Sequence, residues 1–372
     1  MRSLDMAGVD MAEIVEILEQ HLAGQPLAEA QWQQLVAWEL ADTRRAWAWQ
    51  ITPATVRAAL EERLRWLQQA VLLHDQLGLP PYPLRAYLPL YWQLWLPLAL
   101  WLKAARARQS RPLVQGFLGG QGTGKTTLTR VLQQLLAMMG YRAVGLSIDD
   151  LYKTFSDRKQ LRQADPRLIW RGPPGTHDID LGIETLDNIR QAQPGDTVLL
   201  PRFDKSLHGG EGDRTTPEPV QNVDILLFEG WFLGVRPLEP QRFDQALPDP
   251  IQTESDRQFA RDMNQRLRDY LPLWERLDYL TVLCPQDYRI SQQWRRQAEH
   301  QMKAQGKAGM SDAAIDQFVE YFWKALHPEL FITPLKNLGA GADLVITIGP
   351  DRIPLDIFAP LASASSVEPL SA

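Results

Sequence analysis

An apolar run, Leu113 to Leu118, leads directly into Gly119-Gly120-Gln121-Gly122-Thr123-Gly124-Lys125-Thr126 and then into apolar residues at helical spacing. Few local patterns constrain a chain so tightly. Glycines at this spacing let successive backbone N–H groups point inward around a phosphate chain, and the helix opening behind them adds positive potential at the same place. Gly119, Gly120, Gly122, Thr123 and Gly124 form the cradle for ATP, Lys125 reaches its β and γ phosphates, and Thr126 offers a hydroxyl to Mg2+. Thr127 is either a further phosphate contact or an ordinary helix residue. A strand ending in such a loop belongs to a mostly parallel sheet with helices on both faces, the three-layer α/β/α arrangement of the P-loop fold.

The chain on either side divides into two patterns. Up to about residue 108 apolar residues recur at helical spacing, as in Ile14, Ile17, Leu18 and His21, or Leu60, Leu64, Leu67 and Val71. This predicts a helical N-terminal domain over 1–108 and a P-loop domain over 109–372. Tryptophans such as Trp32, Trp38, Trp49 and Trp66 belong to its packing. Ala86 to Leu102 carries no charge, yet it is short for a membrane span and contains Pro89 and Pro97, so a buried helix is expected there. After residue 109 short apolar runs alternate with helical stretches. The strands expected are Leu113–Leu118, Ala143–Ile148, Thr197–Leu200, Val223–Phe228, Leu280–Cys284 and Leu344–Ile348, with helices starting near Lys125, Leu181, Glu254, Asp287 and Asp312. Two long Gly- and Pro-rich loops, Trp170–Thr176 and Phe203–Pro219, are expected to be functional.

Composition narrows the partners. A formal net charge of -6 disfavours a nucleic-acid surface, which needs clustered Lys and Arg. A small molecule fits better. The one cysteine, Cys284, ends an apolar run and reads as a buried, inert thiol in a reducing compartment. The N-terminal stretch with Asp5, Asp10, Glu13, Glu16 and Glu19 does not resemble a basic leader, so the expectation is a soluble cytoplasmic protein with no membrane contact. Oligomeric state is not legible.

Two further strands end in acids. Ser147-Ile148-Asp149-Asp150-Leu151-Tyr152 places adjacent carboxylates at the carboxyl edge of the sheet, where ligands of α/β proteins bind. Asp149 is the expected base that orients an acceptor hydroxyl and takes its proton; Asp150 is the second choice, or a ligand to Mg2+ through water. In Asp224-Ile225-Leu226-Leu227-Phe228-Glu229-Gly230, Glu229 is expected to hold Mg2+ or orient the reacting groups, while Asp224 at the strand's start is structural. Arg295 and Arg296 follow the strand that ends at Cys284; either they form a solvated face or they supply the cation that phosphoryl transfer needs.

Together with Arg171-Gly172-Pro173-Pro174-Gly175-Thr176-His177-Asp178, Arg202-Phe203-Asp204-Lys205-Ser206, Gly209 to Arg214, Phe228-Glu229-Gly230-Trp231, Trp294-Arg295, Gly306-Lys307 and Gly309 to Asp312, these stretches resemble the plant and cyanobacterial D-glycerate 3-kinases, relatives of phosphoribulokinase, uridine kinase and pantothenate kinase. The resemblance covers most of the chain after residue 110. It implies transfer of the γ-phosphoryl of MgATP to the primary hydroxyl of D-glycerate, as in photorespiratory carbon recovery. It implies Asp149 as base and a lid helix carrying catalytic Arg295 and nucleotide-binding Arg296. A small carboxylate acceptor needs cations and hydroxyl partners, and the two loops supply Arg171, His177, Asp178, Arg202, Lys205 and Arg214.

Two other readings keep the phosphate loop. A kinase for pantothenate, a nucleoside or a sugar phosphate would want a longer, partly apolar pocket in place of the charged stretch Arg202 to Arg214. A nucleotide-driven switch would need no acceptor site, but no Asn-Lys-x-Asp run is present and Ser147 to Tyr152 reads as such a site.

Overall fold

The computed structural model describes residues 10–360 apart from 305, 307, 308, 338 and 340, so Asp5 and Lys307 lie outside the described residues. The periodic N-terminal stretch forms α1 (Met11–Leu22), α2 (Glu29–Ala41), α3 (Thr43–Ala48), α4 (Val56–Ala70), α5 (Leu84–Leu90) and α6 (Leu96–Ala107). The uncharged segment is α5, a π turn over Tyr91–Trp95 and α6 run together. Pro97 has no N–H to donate, and just before it the Leu96 N–H bonds back to the Tyr91 carbonyl, so the π turn takes up the register that the proline interrupts. Trp92, Trp95, Leu98 and Leu102 on this run are buried. No helix among the described residues is long and apolar enough to cross a membrane.

The phosphate-loop pattern becomes β1 (Leu113–Gly119) and α7 (Lys125–Met138), followed by β2 (Ala143–Ser147), α8 (Phe155–Ala164), α9 (Ile179–Gln191), β3 (Thr197–Leu200), β4 (Phe203–Asp204), β5 (Asp213–Arg214), β6 (Glu218–Gln221) and β7 (Ile225–Gly230). Then come α10 (Glu254–Arg266), α11 (Leu271–Trp274), β8 (Tyr279–Pro285), α12 (Ile290–Ala304), α13 (Asp312–Ala325), α14 (Pro328–Phe331), β9 (Leu344–Ile348) and β10 (Pro354–Phe358). The main sheet runs β10-β9-β8-β1-β7-β2. All its pairings are parallel except β10 on β9. Its inner strands are buried on both faces, which is why they read as unbroken apolar runs.

Thr197–Leu200 is a strand but not one of this sheet. It pairs antiparallel with β6 in a separate ribbon, burying Val198 and Leu200 and exposing Thr197 and Leu199. Alternating burial is the mark of a strand with one wet face, and a short parallel strand in the middle of the sheet would not show it. The second long loop is partly ordered by the β4–β5 pair, and β10 closes an edge that the sequence did not announce.

The N-terminal helices do not close a core of their own. Leu18, Leu60, Leu67, Trp92 and Leu98 share one apolar cluster with Phe117, Val131, Leu135, Ile225 and Ile346. Asp224 fastens the join, accepting from Arg106 Nη2 at 3.2 Å and from the Arg142 N–H at 2.9 Å. Cys284 is buried, and burial pushes its thiol above the ordinary value.

Among the N-terminal helices an ion pair is fully enclosed. Arg63 donates through Nη1 and Nη2 to both oxygens of Glu39, at 2.6 and 3.1 Å, and its guanidinium lies over the Trp92 ring. Glu39→Ala would strand a buried cation, and a loss of about 3–5 kcal/mol is expected in denaturant unfolding. Joint replacement, Glu39→Leu with Arg63→Met, should recover most of it. A neutral Glu39→Ala would contradict the burial of the pair.

Candidate active site

Parallel pairing brings three strand ends together. β7 lies between β1 and β2, with Leu118 opposite Gly230 and Ser147 opposite Glu229, so the glycine-rich loop, the Asp149 turn and Glu229 surround one cavity of about 690 Å3. The loop's path demands glycine at two points. Gly122 and Gly124 have φ of 78° and 88°, and a Cβ on Gly122 would stand 2.5 Å from the Trp294 Cβ. Lys125 at the first turn of α7 donates to the Gly120 carbonyl at 3.0 Å. Enclosure pulls its ammonium below the ordinary value, against the pull of the Glu229 and Asp149 carboxylates. Thr123 turns its hydroxyl back onto the Gly120 carbonyl at 2.9 Å, and Thr127 lies on α7 away from the cavity lining.

Thr126 Oγ1 donates to Glu229, 2.9 Å from Oε1 and 3.2 Å from Oε2. Burial raises the Glu229 carboxyl above its usual range, with Lys125 and Thr126 opposing. This hydroxyl and carboxylate, in contact beside a phosphate cradle, are the hard oxygen donors that Mg2+ takes when phosphates and water complete its shell.

Asp149 faces the same cavity from the 3-10 turn Ile148–Leu151. In such a turn residues three apart lie over one another, so Tyr152 O–H reaches Asp149 Oδ1 at 2.8 Å. Lys205 Nζ donates to Oδ2 at 2.6 Å. Burial alone would raise the Asp149 carboxyl, but Lys205 and Tyr152 outweigh it and hold it below the ordinary value. Arg171 also lines the cavity, its Nη1 donating to the Gly210 and Glu211 carbonyls at 2.8 and 3.0 Å. Arg295 enters from α12, with Nη2 2.9 Å from Glu299 Oε2 and its guanidinium over Phe318.

Other expected site residues are engaged elsewhere. Asp150 accepts from the Ser147 and Phe203 N–H groups and from Arg202 Nη1, which fixes the turn, and it does not line the cavity. Arg202 spans Asp150, Glu218 and the Gly145 carbonyl. Asp178 caps α9 through the Leu181 N–H and accepts from Arg214, which also donates to the Tyr152 carbonyl. Arg296, one residue on from Arg295, turns outward to Asp316 on α13. His177 is 1% exposed and stacks on the Tyr152 ring at 4.7 Å, while its Nδ1 lies 2.8 Å from the Tyr270 hydroxyl.

Sequence reasoning places Trp170, Trp231 and Trp294 in notable stretches but does not foresee that they join Phe318 and Phe322 in an aromatic wall. Trp170, Trp231, Trp294, Phe318 and Phe322 line the cavity with Tyr152. Trp231 was discoverable, because an aromatic directly past an acid-ended strand must sit at the ligand edge. Phe318 and Phe322 share a face of α13, but nothing local says what that face meets.

No family model matches the chain. Over 256 residues, 66% of its length, the chain is 34% identical to D-glycerate 3-kinase, chloroplastic, of Arabidopsis thaliana, and the match spans 54% of that protein, about half. It is 32% identical over 260 residues to the Saccharomyces cerevisiae protein named "Probable ATP-dependent kinase TDA10", covering 65% of this chain and 86% of that one. The solved structure of D-glycerate 3-kinase from Cryptococcus neoformans var. grubii serotype A aligns with a TM-score of 0.64 at 30% identity, over 70% of this chain and 97% of that one.

Burial pushes the His177 imidazole down from 6.5 to about 3. Below pH 6.5 the unfolded chain therefore binds a proton here that the fold refuses. The residue's contribution to stability is complete above 6.5 and is lost as pH falls toward 3. Between about pH 6 and 5 it should add a slope of about 1.4 kcal/mol per pH unit, and His177→Gln should flatten the denaturation profile by that amount. An unaltered slope would show that the imidazole titrates in the folded protein.

Proposed function

The chain belongs to the D-glycerate 3-kinase family of P-loop kinases, and on that premise we propose that it transfers the γ-phosphoryl group of MgATP to the primary hydroxyl of D-glycerate, giving 3-phosphoglycerate and ADP. It is a phosphotransferase; glycerate as the acceptor is our inference. The observation that carries it is the placing of Lys205 and Arg171 in one cavity with Asp149, two cations within reach of the carboxylate of an acceptor whose hydroxyl faces the base.

Each residue then has a task. The loop amides and Lys125 bind and orient the β and γ phosphates. Thr126 and Glu229 would hold Mg2+, which neutralises phosphate charge when bound. Asp149 accepts the hydroxyl proton as the acceptor oxygen bonds to phosphorus, and the bond from phosphorus to the bridging oxygen of ADP breaks. Arg295 faces the charge that spreads over the phosphoryl oxygens. Trp231, Phe318 and Phe322 exclude water, a competing acceptor.

One observation favours a longer acceptor. A second cavity of about 520 Å3 adjoins the first across Gln121, Trp231 and Phe322, walled by Tyr288, Trp323 and Leu326. It would seat an extended tail such as that of pantothenate.

ADP release coupled to a panel of D-glycerate, L-glycerate, pantothenate, uridine and ribulose 5-phosphate separates the readings. D-glycerate-dependent turnover yielding 3-phosphoglycerate is expected; turnover of pantothenate alone would assign the second cavity to the acceptor and sink glycerate. Lys125→Ala should abolish turnover, and Asp149→Asn should lower kcat by on the order of 10² or more while MgATP still binds. Full activity in Asp149→Asn would remove it from the base position.

A further inference from the structure

Both carboxylate oxygens of Asp149 are taken. Tyr152 holds Oδ1 at 2.8 Å and Lys205 holds Oδ2 at 2.6 Å. A base that takes a proton from an alcohol needs one oxygen within about 2.6–3.2 Å of that hydroxyl; each oxygen keeps a second lone pair, but the donor already on it lowers its basicity and crowds the approach, so the base gains if one of the two partners leaves.

The packing decides which. Tyr152 is 4% exposed. Its ring is stacked on His177 at 4.7 Å and met edge-on by Phe203 at 5.1 Å, and its backbone is bridged to His177. His177 is fixed in turn by Tyr270, whose hydroxyl also takes the Gly175 N–H at 2.9 Å. Tyr152 cannot withdraw without dismantling that stack. Lys205 differs on each count: its side chain is 59% exposed, and it reaches Asp149 on a flexible four-carbon stem. Its backbone does not have to move, because Asp204 Oδ1 accepts from the Ser206 N–H and Oγ at 2.8 and 2.6 Å and sets the turn around it.

We propose that Lys205 determines acceptor specificity by changing partners: it caps Asp149 Oδ2 until a carboxylate on the acceptor draws it away, which opens that oxygen to the acceptor's hydroxyl. The proposal rests on the acceptor being a small carboxylate, as argued above. Arg171 is tied to two carbonyls of the Gly210–Glu211 turn and serves as the fixed cation beside which the substrate carboxylate settles. A neutral acceptor offers Lys205 nothing in exchange, so it meets a capped base. The negative charge is thus read at the base itself as well as through affinity. The exchange replaces one ammonium–carboxylate contact by another, so little is lost when the exposed Lys205 turns from Asp149 to the acceptor.

The test compares D-glycerate with D-glyceramide, which has the same hydroxyls and no charge, in the wild type and in Lys205→Met. The wild type should prefer glycerate in kcat/KM by on the order of 10², the scale of a charge-assisted contact. Lys205→Met should lower kcat/KM for glycerate by about that factor and raise it for glyceramide by about threefold, because Oδ2 is now uncapped. Glyceramide turnover that is unchanged, or falls along with glycerate, overturns the exchange while leaving the glycerate reading intact. A wild type that ignores glycerate overturns both. In a crystal structure with D-glycerate and a non-hydrolysable ATP analogue, Lys205 Nζ should sit on the substrate carboxylate and more than about 4 Å from Oδ2. A lysine still on Oδ2 there refutes the proposal.

Discussion

Trp294 stands so close over Gly122 that no side chain fits between them, and the geometry of the phosphate loop depends on that contact. The indole is itself fixed, donating through Nε1 to the Pro350 carbonyl at 2.8 Å. From the same turn Arg352 donates to the Gly122 carbonyl at 2.7 Å and lies over the indole ring. The loop, α12 and the turn between β9 and β10 therefore meet at one point, and each restrains the other two. This also fixes the phase of α12. With Trp294 turned to the loop, a step of about 100° per residue sends Arg295 into the cavity and Arg296 out toward Asp316.

Behind the loop the problem is to keep α7 still. Its first turn carries Lys125 and Thr126, and a helix that rocked would move both relative to Glu229 and Asp149. The N-terminal helices answer this physically: α4, the π turn and α6 pack on α7 and bury Val131, Leu132 and Leu135 within a cluster that includes Leu60, Leu67, Trp92 and Leu98. Close packing leaves little room for such a shift. The N-terminal helices thereby bear on the geometry of the site, and their enclosed Glu39–Arg63 pair sits beside Trp92 in that layer.

The legible regions of the molecule were those where one residue type at one spacing admits a single conformation. Glycines that must reach positive φ and strands buried on both faces announce themselves, so the phosphate loop and the parallel strands could be read directly. Direction was not legible. Arg202, Arg214 and Asp178 were expected to contact the acceptor and Asp150 to serve as a second base or Mg2+ ligand, but which partners they take depends on the fold: Arg202 meets Asp150, Arg214 the Tyr152 carbonyl, and the two acids accept from nearby N–H groups. His177 was expected to bind the acceptor, yet it is buried against the ring of Tyr152. The aromatic wall was missed because α13 arrives from far along the chain and its apolar face looks like any core-facing stripe.

The lining of the cavity explains why cations and aromatics occur together there. Lys125, Arg171, Lys205 and Arg295 outnumber the carboxylates Asp149 and Glu229, a surplus of positive charge suited to anionic ligands. Packed cations of this kind repel one another in water-poor surroundings unless carboxylates stand between them, and the two acids are spaced to do so: Glu229 against Lys125 and Thr126, Asp149 against Lys205. The aromatic rings of Trp231, Phe318 and Phe322 lower the local dielectric and so strengthen each of these interactions. Trp231 is held in place by its Nε1–H, which donates to the Gly172 carbonyl at 3.2 Å and so ties the loop that carries Arg171 to the strand end that carries Glu229.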